Sequence, residues 1–245
     1  MALLIWPSLG ALLGLVAGSF LATLVLRWPQ GEALTGRSHC DACGAAVRWF
    51  DLVPVLSFLW LKGRCRACGA PIDRRHPAIE IGCALIGALA FVAVPGPEGL
   101  WGALLGWLLL ALLALDLQHY WLPDRLTLPL LALGLAGGVG TLPDRLLGAG
   151  LGGGALLLLA LGYRRLRGRE GLGMGDVKLM AALGAWLSFI WIGPLLLLAS
   201  VAGLLFAGVS RWRGEVKPDG PLRAPFGACL ALAGFPIWLA ANAAV

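Results

Sequence analysis

The chain is poor in charge. Only 13% of its 245 residues are Asp, Glu, Lys or Arg, about half the share usual in a soluble domain. That scarcity excludes an ordinary cytosolic enzyme, and the apolar excess excludes a disordered chain. Histidine is scarcer still. His39, His76 and His119 are the three, and none stands in an H-E-x-x-H pattern, so helix-borne two-histidine metal hydrolysis has no residues to work with. There is no Walker A loop, no Rossmann fingerprint and no G-x-S-x-G elbow.

What the chain has instead is apolar length. Hydrophobic residues make up 59% and mean hydropathy is +0.85, which predicts an all-α polytopic membrane protein. About eight spans are expected, at roughly 2–26, 78–95, 99–116, 124–141, 143–163, 176–189, 191–210 and 225–243. The sixth is short, which fits a tilted helix or one that starts inside a protein-lined cavity. No Lys or Arg precedes the first apolar run. It is too long for a signal-peptide core and reads as a retained span. Glycine runs such as Gly148–Gly154 are suited to close helix packing. Three parts are expected: a first span (1–26), a polar loop domain (27–77) and a seven-helix membrane domain (78–245).

Charge fixes the expected orientation. With the N-terminus outside and the spans alternating, 18 of the 19 Lys and Arg fall on the inner side, and only Arg145 falls outside. The positive-inside rule selects this topology over its inverse. The net charge of +6 is then a cytoplasmic-face signature and does not call for nucleic acid. Membrane lipid is the expected surrounding.

The 27–77 loop carries two C-x-x-C pairs, Cys40/Cys43 and Cys65/Cys68, inside a short repeat, Cys40-Asp-Ala-Cys-Gly-Ala and Cys65-Arg-Ala-Cys-Gly-Ala. A glycine after each pair lets the chain turn so that both sulfurs face one ion. Four thiolates suit a closed, structural zinc site. Redox thiols or two disulfides are the alternatives, and a cytoplasmic setting disfavours disulfides. The apolar stretch Leu52–Trp60 is expected to pack on the cysteine turns or to lie at the membrane surface.

Ionisable groups in membrane spans are functional candidates by default. Asp116 ends the third span and Asp176 opens the sixth, after Gly173-Met-Gly175. The topology places both at the same cytoplasmic depth. Two carboxylates held close share a proton. The ionised one can take a proton from water while the protonated one polarises a carbonyl, the aspartic-protease arrangement. Gly173, Gly175 and Lys178 are candidate substrate contacts, since glycine admits a peptide backbone closely. Alternatives stand beside each reading. Asp176 could be a helix cap neutralised by Lys178, and Asp116 an interfacial charge. Asp124 reads more readily as an N-cap of the fourth span, His119 as a solvated loop residue, and Glu80 as a partner of Arg74, Arg75 or His76.

These residues resemble one family. Gly18-Ser-Phe-Leu21, Arg37–Cys43, Pro54-Val-Leu-Ser57, Gly63–Cys68, Arg74–Glu80, Asp116–Asp124, Gly173–Leu179 and Pro225-Phe-Gly227 together are similar to the bacterial type IV prepilin leader peptidases, membrane aspartyl proteases of the G-x-G-D kind. Ala22, His76 and Ala228 depart from the family's usual residues. The resemblance implies that Asp116 and Asp176 are the catalytic pair. It also implies that a prepilin or pseudopilin loses a short basic leader at the cytoplasmic face of the bacterial inner membrane. Many members then methylate the new N-terminus with S-adenosylmethionine. The cysteine loop is associated with that fuller form, and Glu80 matches an acidic position that could serve methyl transfer.

Overall fold

The computed structural model describes residues 2–32, 34, 36–168, 171–214 and 224–244. Arg169, Lys217 and Arg223, three of the basic residues assigned above to the inner side, lie outside them. Among the described residues the fold is all helical: α1 (Ala2–Arg27), α2 (Leu56–Trp60), α3 (Arg75–Ala93), α4 (Gly99–His119), α5 (Asp124–Gly137), α6 (Leu142–Arg167), α7 (Met174–Leu187), α8 (Ile192–Trp212) and α9 (Phe226–Ala243), with three short 3-10 turns. The described residues form no sheet, only two isolated bridges in the cysteine loop.

Each of the eight expected spans is a helix. Among the described residues, six helices or helical stretches are long and apolar enough to cross a membrane: α1, α3, α4, α6, α8 with the turn before it, and α9. The other two, α5 and α7, have 14 residues each. At 1.5 Å per residue each is about 21 Å long, short of a hydrocarbon core about 30 Å thick. For α7 the cause is its place in the fold. Nine of its residues are buried, and it is packed by α5, α6 and α9.

Two compact units divide the chain, Met1–Ala111 and Leu112–Val245. Lipid is as apolar as leucine, so helices in a membrane associate by close backbone approach rather than by hydrophobic burial. In the first unit α1 lies on α3 along Gly10, Gly14 and Gly18. A Cβ at these positions would strike the backbone of Gly87, of Cys83 and Ala84, and of Glu80. The Trp107 indole donates to the Cys83 carbonyl at 2.8 Å, satisfying a polar edge inside an apolar contact.

The second unit repeats the device. Gly148 of α6 and Gly184 of α7 touch backbone to backbone, and Gly152 and Gly153 admit Met180 and Ala181. Gly150 and Gly154 meet nothing, so the glycine run packs on one face. Gly134 of α5 makes room for Trp186, whose indole donates to the Leu130 carbonyl at 2.8 Å. Arg145, the one basic residue placed on the outer side, donates to the Leu135 and Ala136 carbonyls near the end of α5. It satisfies carbonyls that the helix end leaves free.

Candidate functional site

Asp116 sits in the last turn of α4, and Tyr120, at φ 50°, reverses the chain just beyond it. Asp116 is only 5% exposed. Its Oδ2 accepts the backbone N–H of Ala228 at 2.7 Å. Asp176 is the third residue of α7, and its Oδ2 accepts the Gly173 N–H at 3.2 Å. This is half of a capping box, so the cap alternative for Asp176 describes one of its two oxygens. The other oxygen faces α9, where Gly227 supplies a backbone amide to the carboxylate.

Gly227 is where the two acids meet. A Cβ there would stand 2.8 Å from Oδ1 of Asp176, 3.0 Å from Oδ2 of Asp116 and 2.5 Å from Leu122. The two oxygens are therefore no further apart than twice 3.0 Å. The α9 N-terminus, with its unpaired amides, is what gathers them. One opening helical turn thus holds two carboxylates 60 residues apart in sequence, and a side chain on Gly227 would fill the space between them.

The neighbouring residues fall differently from the sequence expectations. Lys178 does not neutralise Asp176. Its ammonium bonds both oxygens of Asp124, at 2.7 and 2.8 Å, because residues two apart on a helix point to different sides. Asp124 is not the N-cap of α5; Pro123 is, and Asp124 is the first helical residue. Gly175 makes room for Leu122, which a Cβ would meet at 2.9 Å. Gly173 is exposed and gives its amide to Asp176.

In the first unit the four cysteines come together. Cys40, Cys43, Cys65 and Cys68 place their sulfurs within 4.8 Å of one another, and all four are free thiols. Each pair sits in the same turn. Cys40 N–H donates to Ala45 O, and Gly44 N–H to Cys40 O. Cys65 N–H donates to Ala70 O, and Gly69 N–H to Cys65 O. Gly44 and Gly69 take φ of 69° and 73°, the left-handed conformation that glycine alone adopts cheaply. The Cys68 and Ala67 amides and the Cys40 thiol pull the Cys65 thiol down to about 7. Cys68 has a helpful Ala70 amide, yet the Cys43 thiol, burial and the Cys65 and Cys40 thiols push it up to about 11. Four thiolates this close repel, and a cation among them removes the conflict. The cluster is fit to hold a metal ion.

Between the two cysteine turns, Asp51 receives a two-pronged contact from Arg66, at 2.9 and 2.7 Å. The Arg66 guanidinium holds the Asp51 carboxyl below its ordinary range. Phe58 packs against Gly63, while Leu56, Leu59 and Trp60 are exposed. Glu80 of α3 does not pair with Arg74, Arg75 or His76. Arg75 bonds Asp73, and Glu80 accepts the Val55 N–H at 2.7 Å.

Comparison with known proteins adds a family to this geometry. The model of the Bacterial Peptidase A24 N-terminal domain matches residues 12–94, and that of the type IV leader peptidase family matches residues 103–208. The chain is 40% identical over 254 residues to a prepilin leader peptidase/N-methyltransferase of Burkholderia pseudomallei (strain 1026b), covering 91% of this chain and 81% of that one. It is 42% identical over 221 residues to the Aeromonas hydrophila protein of the same name, covering 86% and 73%. A third, from Xanthomonas campestris pv. campestris, is 33% identical over 272 residues, covering 96% and 93%. No solved structure matches the chain.

Proposed function

The chain belongs to the type IV leader peptidase family, and on that premise we propose that it is a membrane aspartyl endopeptidase. It removes the short basic leader of a prepilin or pseudopilin and then methylates the new N-terminus. The observation that carries the peptidase reading is the meeting of Asp116 and Asp176 at Gly227. One carboxylate takes a proton from water as the oxygen attacks the scissile carbonyl. The other, protonated, polarises that carbonyl and later gives its proton to the leaving amine. The Gly227 and Ala228 amides hold the ionised oxygens in place through both transfers.

The N-terminus lies outside and the aspartates and cysteine loop inside, on the strength of the basic-residue asymmetry. A basic leader then stays in the cytoplasm, and the bond to be cut lies near the inner surface. Gly173 and Gly175 border Asp176 where a substrate backbone would pass, and Lys178 with Asp124 stands on the flank. The chain works in three parts: a first span (1–26), a zinc loop (27–77) and a membrane peptidase domain (78–245).

The metal is zinc. A tetrahedral Zn–S bond of about 2.3 Å sets sulfurs about 3.8 Å apart, and Cys40 and Cys68 sulfurs are 3.9 Å apart. Four thiolates close the coordination shell, so the ion folds the loop and does not face substrate. Methylation draws on S-adenosylmethionine. A cavity of about 810 Å³ in the first unit is of the size that holds such molecules.

The test uses the purified chain in detergent with a full-length prepilin, reading product masses with and without S-adenosylmethionine. Wild type removes the leader and adds one methyl mass. Asp116→Ala and Asp176→Ala each lose cleavage by about a hundredfold to ten-thousandfold, the usual worth of a general acid or base. Cleavage that survives either substitution overturns the assignment of the pair. A product that never gains the methyl mass overturns the second activity alone.

A further inference from the structure

Among the described residues two carboxylates are buried, Asp116 and Glu80. Asp116 has Asp176 and the α9 amides. Glu80 is 7% exposed, and no Lys, Arg or His among the described residues forms an ion pair with it. It lines the 810 Å³ cavity of the first unit. The other acids around that cavity are matched: Asp41 with Arg27, Asp51 with Arg66, Asp73 with Arg75. An uncompensated, desolvated carboxylate facing a ligand-sized cavity is a counter-charge for a cation that arrives from outside.

The backbone around Glu80 is built at a cost. Its Oε2 accepts the Val55 N–H at 2.7 Å, with the Ser19 hydroxyl beside it. Val55 has φ 61° and ψ −48°. Leu56 N–H donates to Pro54 O at 2.6 Å, which closes a γ-turn centred on Val55 in its rarer, strained hand. A β-branched residue takes positive φ only where its surroundings enforce it. The effect here is to aim one amide at Glu80. On the other side, Gly18 lets α1 press onto the α3 backbone at this same residue, since a Cβ there would be 2.7 Å from Glu80 Cα. Two elements far apart in sequence fix one carboxylate.

The identity of the cation follows from the charge movement of the reaction, and so rests on the methyltransferase reading above. As a methyl group passes from a sulfonium donor to an amine, positive charge leaves sulfur and arrives on nitrogen. An anion beside the sulfur stabilises the reactants and loses that contact on the way up. An anion beside the nitrogen gains strength as the charge develops. We propose that Glu80 binds the α-amine of the newly cut N-terminus and stays ionised beside it during methylation, with Val55 as its positioning residue.

The step balances. The α-ammonium gives one proton to solvent water, and Glu80 stays a carboxylate. The freed nitrogen lone pair forms the N–C bond to the methyl of a sulfonium donor of the S-adenosylmethionine class. The C–S bond breaks and its electrons stay on sulfur as a neutral thioether. The methylammonium is left facing the ionised Glu80.

The test needs no methyl donor. Two peptides with the N-terminal segment of a mature type IV pilin, one with a free amine and one acetylated, are titrated into the full zinc-loaded chain in detergent by fluorescence anisotropy. Wild type binds the free amine roughly tenfold or more tighter, the scale of a charge-assisted contact. Glu80→Gln, nearly isosteric and still able to accept from Val55, loses that preference. Glu80→Asp, which keeps the charge on a shorter stem, retains part of it and guards against a folding artefact, with zinc content and melting temperature checked for each variant. Equal binding of the two peptides by wild type, or an undiminished preference in Glu80→Gln, overturns the proposal. Either result leaves the methylation reading to be judged by the product masses of the preceding experiment.

Discussion

The two units hold their acids in opposite ways. In Leu112–Val245 two carboxylates converge on one helix N-terminus, with a glycine between them. In Met1–Ala111 one carboxylate stands by itself, gripped by a strained turn and open to a cavity. The contrast is chemical. A pair that shares a proton can give one and take one in a single turnover, as hydrolysis requires. A lone buried anion has no proton to give, so its use lies in binding positive charge. Both units rely on glycine for close approach, but only in the second does a glycine lie between two carboxylates.

The largest effect expected separates the units by their scaffolds. Structural metal binding is folding free energy, on the order of 10–16 kcal/mol in small zinc modules. Cys65→Ser, or exhaustive chelation, therefore drops metal from about one ion per chain to near zero and opens residues 36–73 to limited proteolysis. The aspartate pair is held by amides of α9 and of Gly173. If protease protection of 36–73 survives metal loss, the ion is not what folds this segment, and the contrast between a metal-built and a helix-built site fails.

The next effect lies at the glycine between the acids. In Gly227→Ala the new methyl meets Asp176, Asp116 and Leu122 at 2.5–3.0 Å. The Leu122 tip can rotate away, but the two carboxylate oxygens are held by amides. Cleavage falls roughly a hundredfold, the worth of about an ångström of misplacement, with melting temperature little changed. Unimpaired cleavage by Gly227→Ala would mean that the pair does not work in this arrangement. The smallest effect is expected at Lys178→Met. The Lys178–Asp124 pair is substantially exposed, at 39% and 55% of side-chain surface, and such pairs contribute about 0–1 kcal/mol. A shift in melting temperature of only a few degrees is the expected reading; a collapse would show that this flank supports the acids.

Much of this was legible in the sequence, for reasons that can be named. The eight helices follow from uninterrupted apolar runs, and the cysteine cluster from a duplicated spacing with a glycine after each pair. Asp116 and Asp176 were placed at one depth by alternation of spans alone. The α9 contribution was not legible, because what it supplies is backbone amide at Gly227 and Ala228, and no side chain advertises that. Nearness in sequence also misled. Lys178 lies two residues from Asp176, yet α7 turns it toward Asp124. Arg74, Arg75 and His76 precede Glu80, yet the group that reaches it is the amide of Val55, 25 residues earlier. The short length of α7 was visible; that its neighbours enclose it is a fact of packing.

The duplicated cysteine turns bear on the order of events during synthesis. Each turn carries two of the four sulfurs, and the second pair follows the first after 21 intervening residues. No four-ligand site exists until Cys68 has emerged, and closing that loop costs more entropy than either turn alone. The first helix can enter the membrane well before this, and α3 begins only seven residues after Cys68. Capture of an ion by all four sulfurs would thus fall between two insertion events. A nascent chain starved of metal at that moment would present α3 to the membrane behind an open loop.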